Sequence, residues 1–572
     1  MKRLFFYLGR YRRESVLAPL FKLLEATLEL LIPLIVSAIV DRGVGGGDAS
    51  FVLTRSLFLI LLGVIGLGFS VTAQYFAARA AVGSVAAMKS ALFAHIGALS
   101  HRELDDLGTP TLITRMTADA NQVQNGVNMA LRLLLRSPFV VFGAMIMAFT
   151  VDARSAVVFA VIIPVLGLVV FAIMLSCLPL YRKVQQKLDT VLSKTRENLT
   201  GARVIRAFCK EEEEAGEFRE ANGELFSLQK LVGRISALMG PLTYAIVDIG
   251  VIFLLRRGAI RVDSGALTQG DVIALYSYMS QILVELIKLA GFIILTTKAV
   301  ASANRISAVF DVASSLRSGE RTADPSAACA VEFRGVSLRY ARNAAESLED
   351  ITFSALRGET VGVIGGTGSG KSSLLSLIPR FYDATEGTVL VDGVPVGEQD
   401  LAALRRRIGV VPQKAELFSG TVRENLLWGR EDASDGEIWR ALELAQAKSV
   451  VEEKGGLDFV IEPGGRNLSG GQRQRLTVAR ALVGEPEILL LDDAASALDY
   501  ATDAALRAAL ASLSGKTTLF IVSQRAASVM RADKIIVLEQ GRVAGIGKSD
   551  ELYRTCAVYR EIYDSQFEKE GA

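Results

Sequence analysis

Gly365-Gly366-Thr367-Gly368-Ser369-Gly370-Lys371-Ser372 decides how this chain is read, because it fits the pattern G-x-x-x-x-G-K-[ST] at every fixed position. The apolar run Val361 to Ile364 before it reads as a strand, and Ser373 to Ile378 after it as the first turns of a helix. In that setting glycines let the backbone curl so that successive N–H groups point at phosphate oxygens, and the helix N-terminus adds partial positive charge. Lys371 supplies a point charge for outer phosphates and Ser372 a hydroxyl for Mg²⁺. A glycine-rich turn that binds nothing is the competing reading, and the motifs downstream remove it.

Working outward, 572 residues are too many for one core, and 51% of them are apolar. Length and hydrophobicity together imply a membrane protein with more than one domain. The formal net charge is only +2, which gives no electrostatic case for a nucleic-acid partner. Cys177, Cys209, Cys329 and Cys556 lie far apart and form no C-x-x-C pair, so neither a disulfide framework nor a zinc site is indicated. The first fifteen residues mix Lys2, Arg3, Arg10, Arg12 and Arg13 with Leu4, Phe5, Phe6, Tyr7, Leu8 and Tyr11. No small-residue cleavage site follows, so the segment reads as amphipathic and interfacial rather than as a signal peptide.

Six apolar segments follow at roughly 15–40, 51–80, 133–151, 155–180, 236–256 and 268–298, each long enough to span a bilayer. Pro33, Pro138, Pro164 and Pro241 are expected to kink these helices or to mark their ends. Short links alternate with two long, charged, helix-forming stretches, 81–132 and 181–235. A basic N-terminus held in the cytoplasm places the long stretches on the cytoplasmic side, although the third short link carries Arg256, Arg257 and Arg261 against the charge rule. Each long stretch is expected to continue the spans as helices and to turn, at Gly108-Thr109-Pro110 and near Asn198-Leu199-Thr200-Gly201. The acidic run Glu211 to Glu214 reads as a solvated helix face. Residues 1–315 form the expected membrane domain, 316–329 a linker with Gly and Pro, and 330–572 a second domain in which strands alternate with helices, an α/β pattern. This predicts a multi-pass protein of the cytoplasmic (inner) membrane with its second domain in the cytoplasm.

The second domain also holds Asn467-Leu468-Ser469-Gly470-Gly471-Gln472 and, soon after, Ile488-Leu489-Leu490-Leu491-Asp492, a buried strand ending in a carboxylate that can hold Mg²⁺ beside Ser372. Phosphate loop, signature and acidic strand in this order resemble the nucleotide-binding domain of ATP-binding cassette (ABC) transporters, and with six spans before it the whole chain resembles an exporter-type half-transporter. The resemblance implies ATP and Mg²⁺ as cofactors, bound through Gly365, Gly366, Thr367, Gly368, Ser369, Gly370, Lys371, Ser372 and Ser373. It further implies that Tyr340 stacks on adenine, that Gln413 is the Mg²⁺-linked residue sensing the membrane domain, and that Ser372, Gln413 and Asp492 make up the metal set. Ser469, Gly470, Gly471 and Gln472 would meet the nucleotide of an opposing subunit, with Asp499 at the dimer seam and Glu462 helping to read the turns of the long loops, which would be coupling helices.

Two positions depart from the family pattern. Asp493 stands where the family usually places the glutamate that polarises water, and Gln524 where it usually has a histidine. Aspartate is about as basic as glutamate, but one methylene shorter it withdraws the carboxylate by ~1 Å, a displacement that can cost about a hundredfold in rate. Glutamine can hydrogen-bond a phosphate but cannot become an imidazolium. The binding motifs are complete and both catalytic positions, Asp493 and Gln524, are weakened, so the chain is expected to be the degenerate half of a heterodimeric, multidrug-type exporter, partnered by a second half-transporter. A slow homodimer and an ATP-gated channel or regulatory subunit are the alternatives.

The substrate stays open among drug-like molecules, lipids and peptides. Inside the spans lie Glu25 and Glu29, with Lys22, Asp248, Glu285 and Lys288. Either these pair with one another or they line an acidic cavity that favours cationic amphiphiles.

Overall fold

In the computed structural model, which describes residues 6–324, 326–340 and 345–567, the chain divides into two compact units. The first comprises Met1–Gly97 with Thr109–Val312, the second Ala98–Gly108 with Ala313–Ala572. The first five residues of the amphipathic N-terminal segment lie outside the described residues.

Six helical segments are long and apolar enough to cross a bilayer, as the sequence predicts: Phe6–Val44, Ala49–Gly97, Thr109–Val151, Ala153–Thr200, Glu211–Asp263 and Gln269–Asp311. Their main helices are α1 (Arg12–Ala38), α2 (Ala49–Gly97), then after the short α3 (His101–Leu107) of the second unit, α4 (Ala120–Leu133) and α5 (Arg136–Val151). α6 (Ala153–Thr200), the short α7 (Ala202–Ala207), α8 (Glu211–Ala237), α9 (Met239–Asp263) and α10 (Gln269–Asp311) complete the set. The prolines divide by position. Pro138 and Pro241 fall in the first turn of α5 and α9, where a missing N–H costs nothing, whereas Pro33 and Pro164 lie inside α1 and α6. Side chains set the starts of the long helices: Asp152 accepts from the Ser155 N–H at 2.9 Å, and Thr268 with Asp271 forms a capping box for α10.

The core of the first unit gathers Phe159 and Leu166 of α6, Leu254 of α9 and Tyr278 and Met279 of α10, all fully buried. The Tyr278 hydroxyl donates to the Leu30 carbonyl at 2.8 Å, satisfying the one polar group that this aromatic side chain brings inside. Beyond this core α6 and α8 run on as a pair, joined by Val191, Ala221 and Leu225 and by the ion pairs Lys187–Glu224 and Lys194–Glu217. The basic third link is partly neutralised by the second: Arg261 pairs with Asp152 at 3.0 Å.

In the second unit the linker is laid onto the cassette by backbone bonds. The Gly319 and Arg321 N–H groups donate to the Gln399 and Glu398 carbonyls, both at 2.9 Å. The strands β1 (Cys329–Leu338), β2 (Leu348–Leu356), β3 (Thr360–Gly365), β4 (Glu386–Val391), β5 (Val394–Pro395), β6 (Ile408–Val411), β7 (Gly420–Thr421), β8 (Val460–Ile461), β9 (Ile488–Asp492), β10 (Thr518–Ser523), β11 (Lys534–Glu539) and β12 (Arg542–Gly547) form three sheets. One is antiparallel, in the order β2-β1-β4-β5, and a small one pairs β7 with β8. The central sheet runs β12-β11-β3-β10-β9-β6 and is parallel from β11 to β6. Its strands β3, β9 and β10 are buried almost throughout, which is why each reads as a continuous apolar run.

Candidate functional site

Because β3, β10, β9 and β6 are parallel neighbours, whatever follows each strand emerges at one edge of the sheet, and ligands in such folds bind outside the carboxyl ends of the strands. The phosphate loop follows β3, Gln524 follows β10, Asp493 follows β9 and Gln413 follows β6. Register fixes the alignment: Ser523 pairs with Ile364 and Val522 with Asp492.

The loop runs into α11 (Lys371–Leu377), whose N-cap Gly370 has φ 97. A Cβ there would also sit 2.6 Å from the Ser347 carbonyl, so only glycine fits. Lys371 is buried and its ammonium donates to the Gly365 and Gly366 carbonyls at 2.9 and 2.7 Å, lying along the loop that it serves. Burial lowers its pKa, against the opposing fields of Asp493 and Asp492. Ser372 Oγ donates to Asp492 Oδ1 at 3.0 Å, which brings two hard oxygen donors side by side, as a Mg²⁺ site requires. Burial raises the Asp492 carboxyl pKa, opposed by the Ser372 hydrogen bond and reinforced by the charge of Asp493. Burial raises the Asp493 pKa as well, opposed by Lys371 and Arg525. Asp493 adopts φ 47, a left-handed conformation that aspartate tolerates better than most residues.

Tyr340 donates from its hydroxyl to Ser373 Oγ at 3.0 Å and meets Tyr382 edge-on, with ring centroids 4.9 Å apart. Tyr382 in turn donates to Asp105 of α3 at 2.6 Å, and His101 of the same helix lies against Phe381. Burial and the Asp105 carboxylate raise the Tyr382 pKa. The segment around α3 is fixed at its start by a capping box in which the Ser100 N–H donates to Glu103 at 3.0 Å. The short helix that precedes the turn expected at Gly108-Thr109-Pro110 thus packs within the cassette unit, through residues that the sequence does not single out.

Ser469 is the N-cap of α12 (Gly470–Val483): its Oγ accepts from the Gln472 N–H at 3.3 Å, and Gln472 Oε1 accepts from the Ser469 N–H at 3.0 Å. A Cβ on Gly471 would stand 3.1 Å from the Ala497 carbonyl, so the signature helix lies close to the segment after β9. Among the described residues no hydrogen bond joins this signature to the chain's own phosphate loop. Asp499 caps α13 (Tyr500–Ala511), accepting from the Thr502 N–H at 2.9 Å, which holds its pKa below the usual carboxylate range. Glu462 and Gln413 are exposed, and the Glu462 N–H donates to Asn467.

The residue after β10 is held from an unexpected quarter. Gln566, on the C-terminal helix α14 (Ala557–Phe567), donates to the Gln524 carbonyl at 2.9 Å and accepts from the Ala526 N–H at 2.8 Å. No motif signals this, since the contact spans 42 residues and uses the backbone of its target. The side chains of Gln524 and Asp493 make no hydrogen bond among the described residues.

In the first unit the charges that the sequence places inside the spans, Asp248 apart, are paired. Lys22 meets Glu25 at 2.5 Å, Arg136 bridges Glu29 and Glu285 at 2.6 Å each, and Lys288 meets Glu285 at 2.9 Å. Arg136, which the sequence reading passes over, balances the count at three cations to three carboxylates. Of the acidic-cavity reading only Asp248, exposed on α9, is left.

Known proteins share both units. Family profiles match the ABC transporter transmembrane region over residues 15–286 and the ABC transporter family over residues 348–496. An uncharacterized ABC transporter ATP-binding protein of Mycobacterium tuberculosis is 36% identical over 97% of this chain and 96% of its own length. The chain belongs to the ABC transporter family. YfiB, an uncharacterized ABC transporter ATP-binding protein of Bacillus subtilis, is 34% identical over 100% of both chains. YgaD of the same organism, whose name carries the words multidrug export, is 30% identical over 99% of each. The structure of a bacterial Atm1-family ABC exporter with ATP bound superposes with a TM-score of 0.80, at 23% identity and 98% coverage of each chain, and so shares this fold. This ABC transporter therefore binds ATP in its cassette and is an ATPase-coupled, multi-pass membrane protein whose cassette faces the cytoplasm.

Proposed function

We propose that this ABC transporter is the degenerate half of a heterodimeric exporter of hydrophobic or amphipathic substrates. One observation carries the reading: at the shared edge of the central sheet Lys371, Ser372 and Tyr340, which would hold nucleotide and metal, are hydrogen-bonded in place, while Asp493 and Gln524, which would act on water, depart from the family's residue types and have no side-chain hydrogen bond among the described residues. Lys371 and the loop N–H groups would hold the phosphates, Tyr340 the adenine, and Ser372 with Asp492 a Mg²⁺ ion, helped by Gln413. When bound, that ion would neutralise phosphate charge. Asp493, a methylene short, would orient water poorly. Gln524 would offer a hydrogen bond but no proton. Ser469 to Gln472, at the N-terminus of a 14-residue helix, present N–H groups suited to a phosphate of the second subunit's nucleotide.

The arm of the second long loop supports a dimeric assembly. Its tip α7 exposes Val204, and next to it Leu199 and Phe208 are 75% and 73% exposed, apolar surface that calls for a partner. The name of YgaD supports a multidrug-type substrate, and the paired charges in the spans argue against a strongly acidic cavity.

A slow homodimer is the second reading, favoured by the burial that raises the Asp493 pKa and makes it a better base. Purifying the chain alone and with a second half-transporter that carries glutamate and histidine at the matching positions, then measuring ATPase activity per complex, separates the two. Low turnover alone and high turnover in the pair supports the heterodimer.

A further inference from the structure

A groove of about 730 Å³ lies between α6 and α8, with Lys183, Gln186 and Lys187 on one wall and Glu224, Leu228 and Leu231 on the other. Gln186 and Lys187 follow Lys183 by three and four positions, and Glu224, Leu228 and Leu231 are four and three apart, so each wall is a stripe along one face of its helix.

Its depth follows from the sequence. The apolar run of α6 ends at Leu180 and gives way to Tyr181-Arg182-Lys183, an aromatic and basic boundary of the kind that sits at a membrane interface. At 1.5 Å per residue Lys183 stands about 5 Å and Lys187 about 10 Å beyond that end. The headgroup layer adds about 5–7 Å to each side of the hydrocarbon, so the Lys183 end of the groove opens at the level of the cytoplasmic headgroups, with Lys187 just beyond it. On α8, Lys230 and Arg234 mark the same boundary before the next apolar run. Residues 181–190 and 223–234 together carry Arg182, Lys183, Lys187, Lys230 and Arg234 against Asp189 and Glu224, an excess of three positive charges.

Within the groove the two lysines differ. Lys187 is paired with Glu224, whereas Lys183 has no hydrogen bond or ion pair among the described residues. Leu228 and Leu231 supply an apolar wall on the membrane side of Glu224. Gly223 also lines the groove, and a Cβ built on it meets nothing within 4 Å, so this glycine leaves the space open.

We propose that this groove binds the headgroup of an anionic phospholipid of the cytoplasmic leaflet, with Lys183 on the phosphate and the glycerol end against Leu228 and Leu231. Basic pockets between transmembrane helices on the cytoplasmic side have the chemistry for such headgroups. The proposal rests on the membrane topology alone and is independent of whether the transporter pairs with itself or with a second half.

The test uses the full chain reconstituted in bilayer discs of phosphatidylcholine with a small fraction of phosphatidylglycerol, reading phospholipid carried through detergent extraction by native mass spectrometry. The wild type retains phosphatidylglycerol in preference to phosphatidylcholine. Lys183→Gln weakens that retention by about fivefold, the worth of one cation near the surface. Gly223→Leu, which changes no charge and favours the helix, fills the groove and removes the preference. Glu224→Gln releases Lys187 and strengthens retention. Lys194→Gln, farther along the arm in its own ion pair with Glu217, leaves it unchanged. Retention in Lys183→Gln and Gly223→Leu equal to the wild type would overturn the proposal. Displacement of the lipid by an equal concentration of glycerol 1-phosphate would also overturn it, by showing a soluble phosphate ligand.

Discussion

At the phosphate loop three polar side chains that would touch nucleotide already have a fixed place: Lys371 on two loop carbonyls, Ser372 on Asp492 and Ser373 on Tyr340. A few ångströms of sheet away, at the ends of β9 and β10, the Asp493 and Gln524 side chains carry no hydrogen bond among the described residues. Binding requires the groups to be present, whereas catalysis requires them to be held within a fraction of an ångström of the reacting atoms. Under the proposed function this contrast separates an end of the site suited to holding ATP from an end poorly suited to cleaving it.

Four substitutions break or sharpen this contrast. The largest effect belongs to Lys371→Ala, which removes a charged donor and should weaken ATP binding at this site by about a hundredfold, read by photolabelling of the chain with an ATP analogue. Next, Asp493→Glu restores the missing methylene and should raise hydrolysis by the chain alone by roughly ten- to a hundredfold, measured as phosphate release. No gain there would mean that reach is not what limits the site. A smaller effect is expected of Gln566→Ala, which frees the backbone on either side of Arg525: amide exchange at Ala526 should quicken by about fivefold, the worth of one net hydrogen bond, with little change in ATP affinity. The smallest is Asp493→Ala in the assembled pair, where turnover should stay within about twofold of the wild type, since under the proposed function the partner's site carries the hydrolysis. A collapse of turnover would identify Asp493 as a working base.

Much of the cassette was legible because its elements are local. The strand before Gly365 and the helix after Ser372 each announce themselves within a few positions. The six spans were equally plain, since a bilayer demands long apolar runs from any chain that crosses it. What stayed hidden depends on which helices meet. Arg136 carries no signal in the sequence, and only the packing of α1, α5 and α10 makes it bridge Glu29 and Glu285. Tyr382 and Gln566 are equally silent in the sequence: α3 brings Asp105 to the Tyr382 hydroxyl, and α14 brings Gln566 to the Ala526 N–H after β10. The basic link after α9 still departs from the charge rule through Arg256 and Arg257, while its Arg261 meets Asp152, a pairing that only the packed helices reveal.

The most direct test of the degenerate-site reading is ATPase activity per complex, measured for this chain alone and for this chain assembled with a half-transporter carrying the catalytic glutamate and switch histidine. The prediction is that the chain alone binds ATP but turns over slowly, that the pair turns over fast and responds to substrate, and that Ser469→Arg in this chain stops most hydrolysis by the pair. Full, substrate-stimulated turnover by the chain alone, as a stable homodimer, would contradict it.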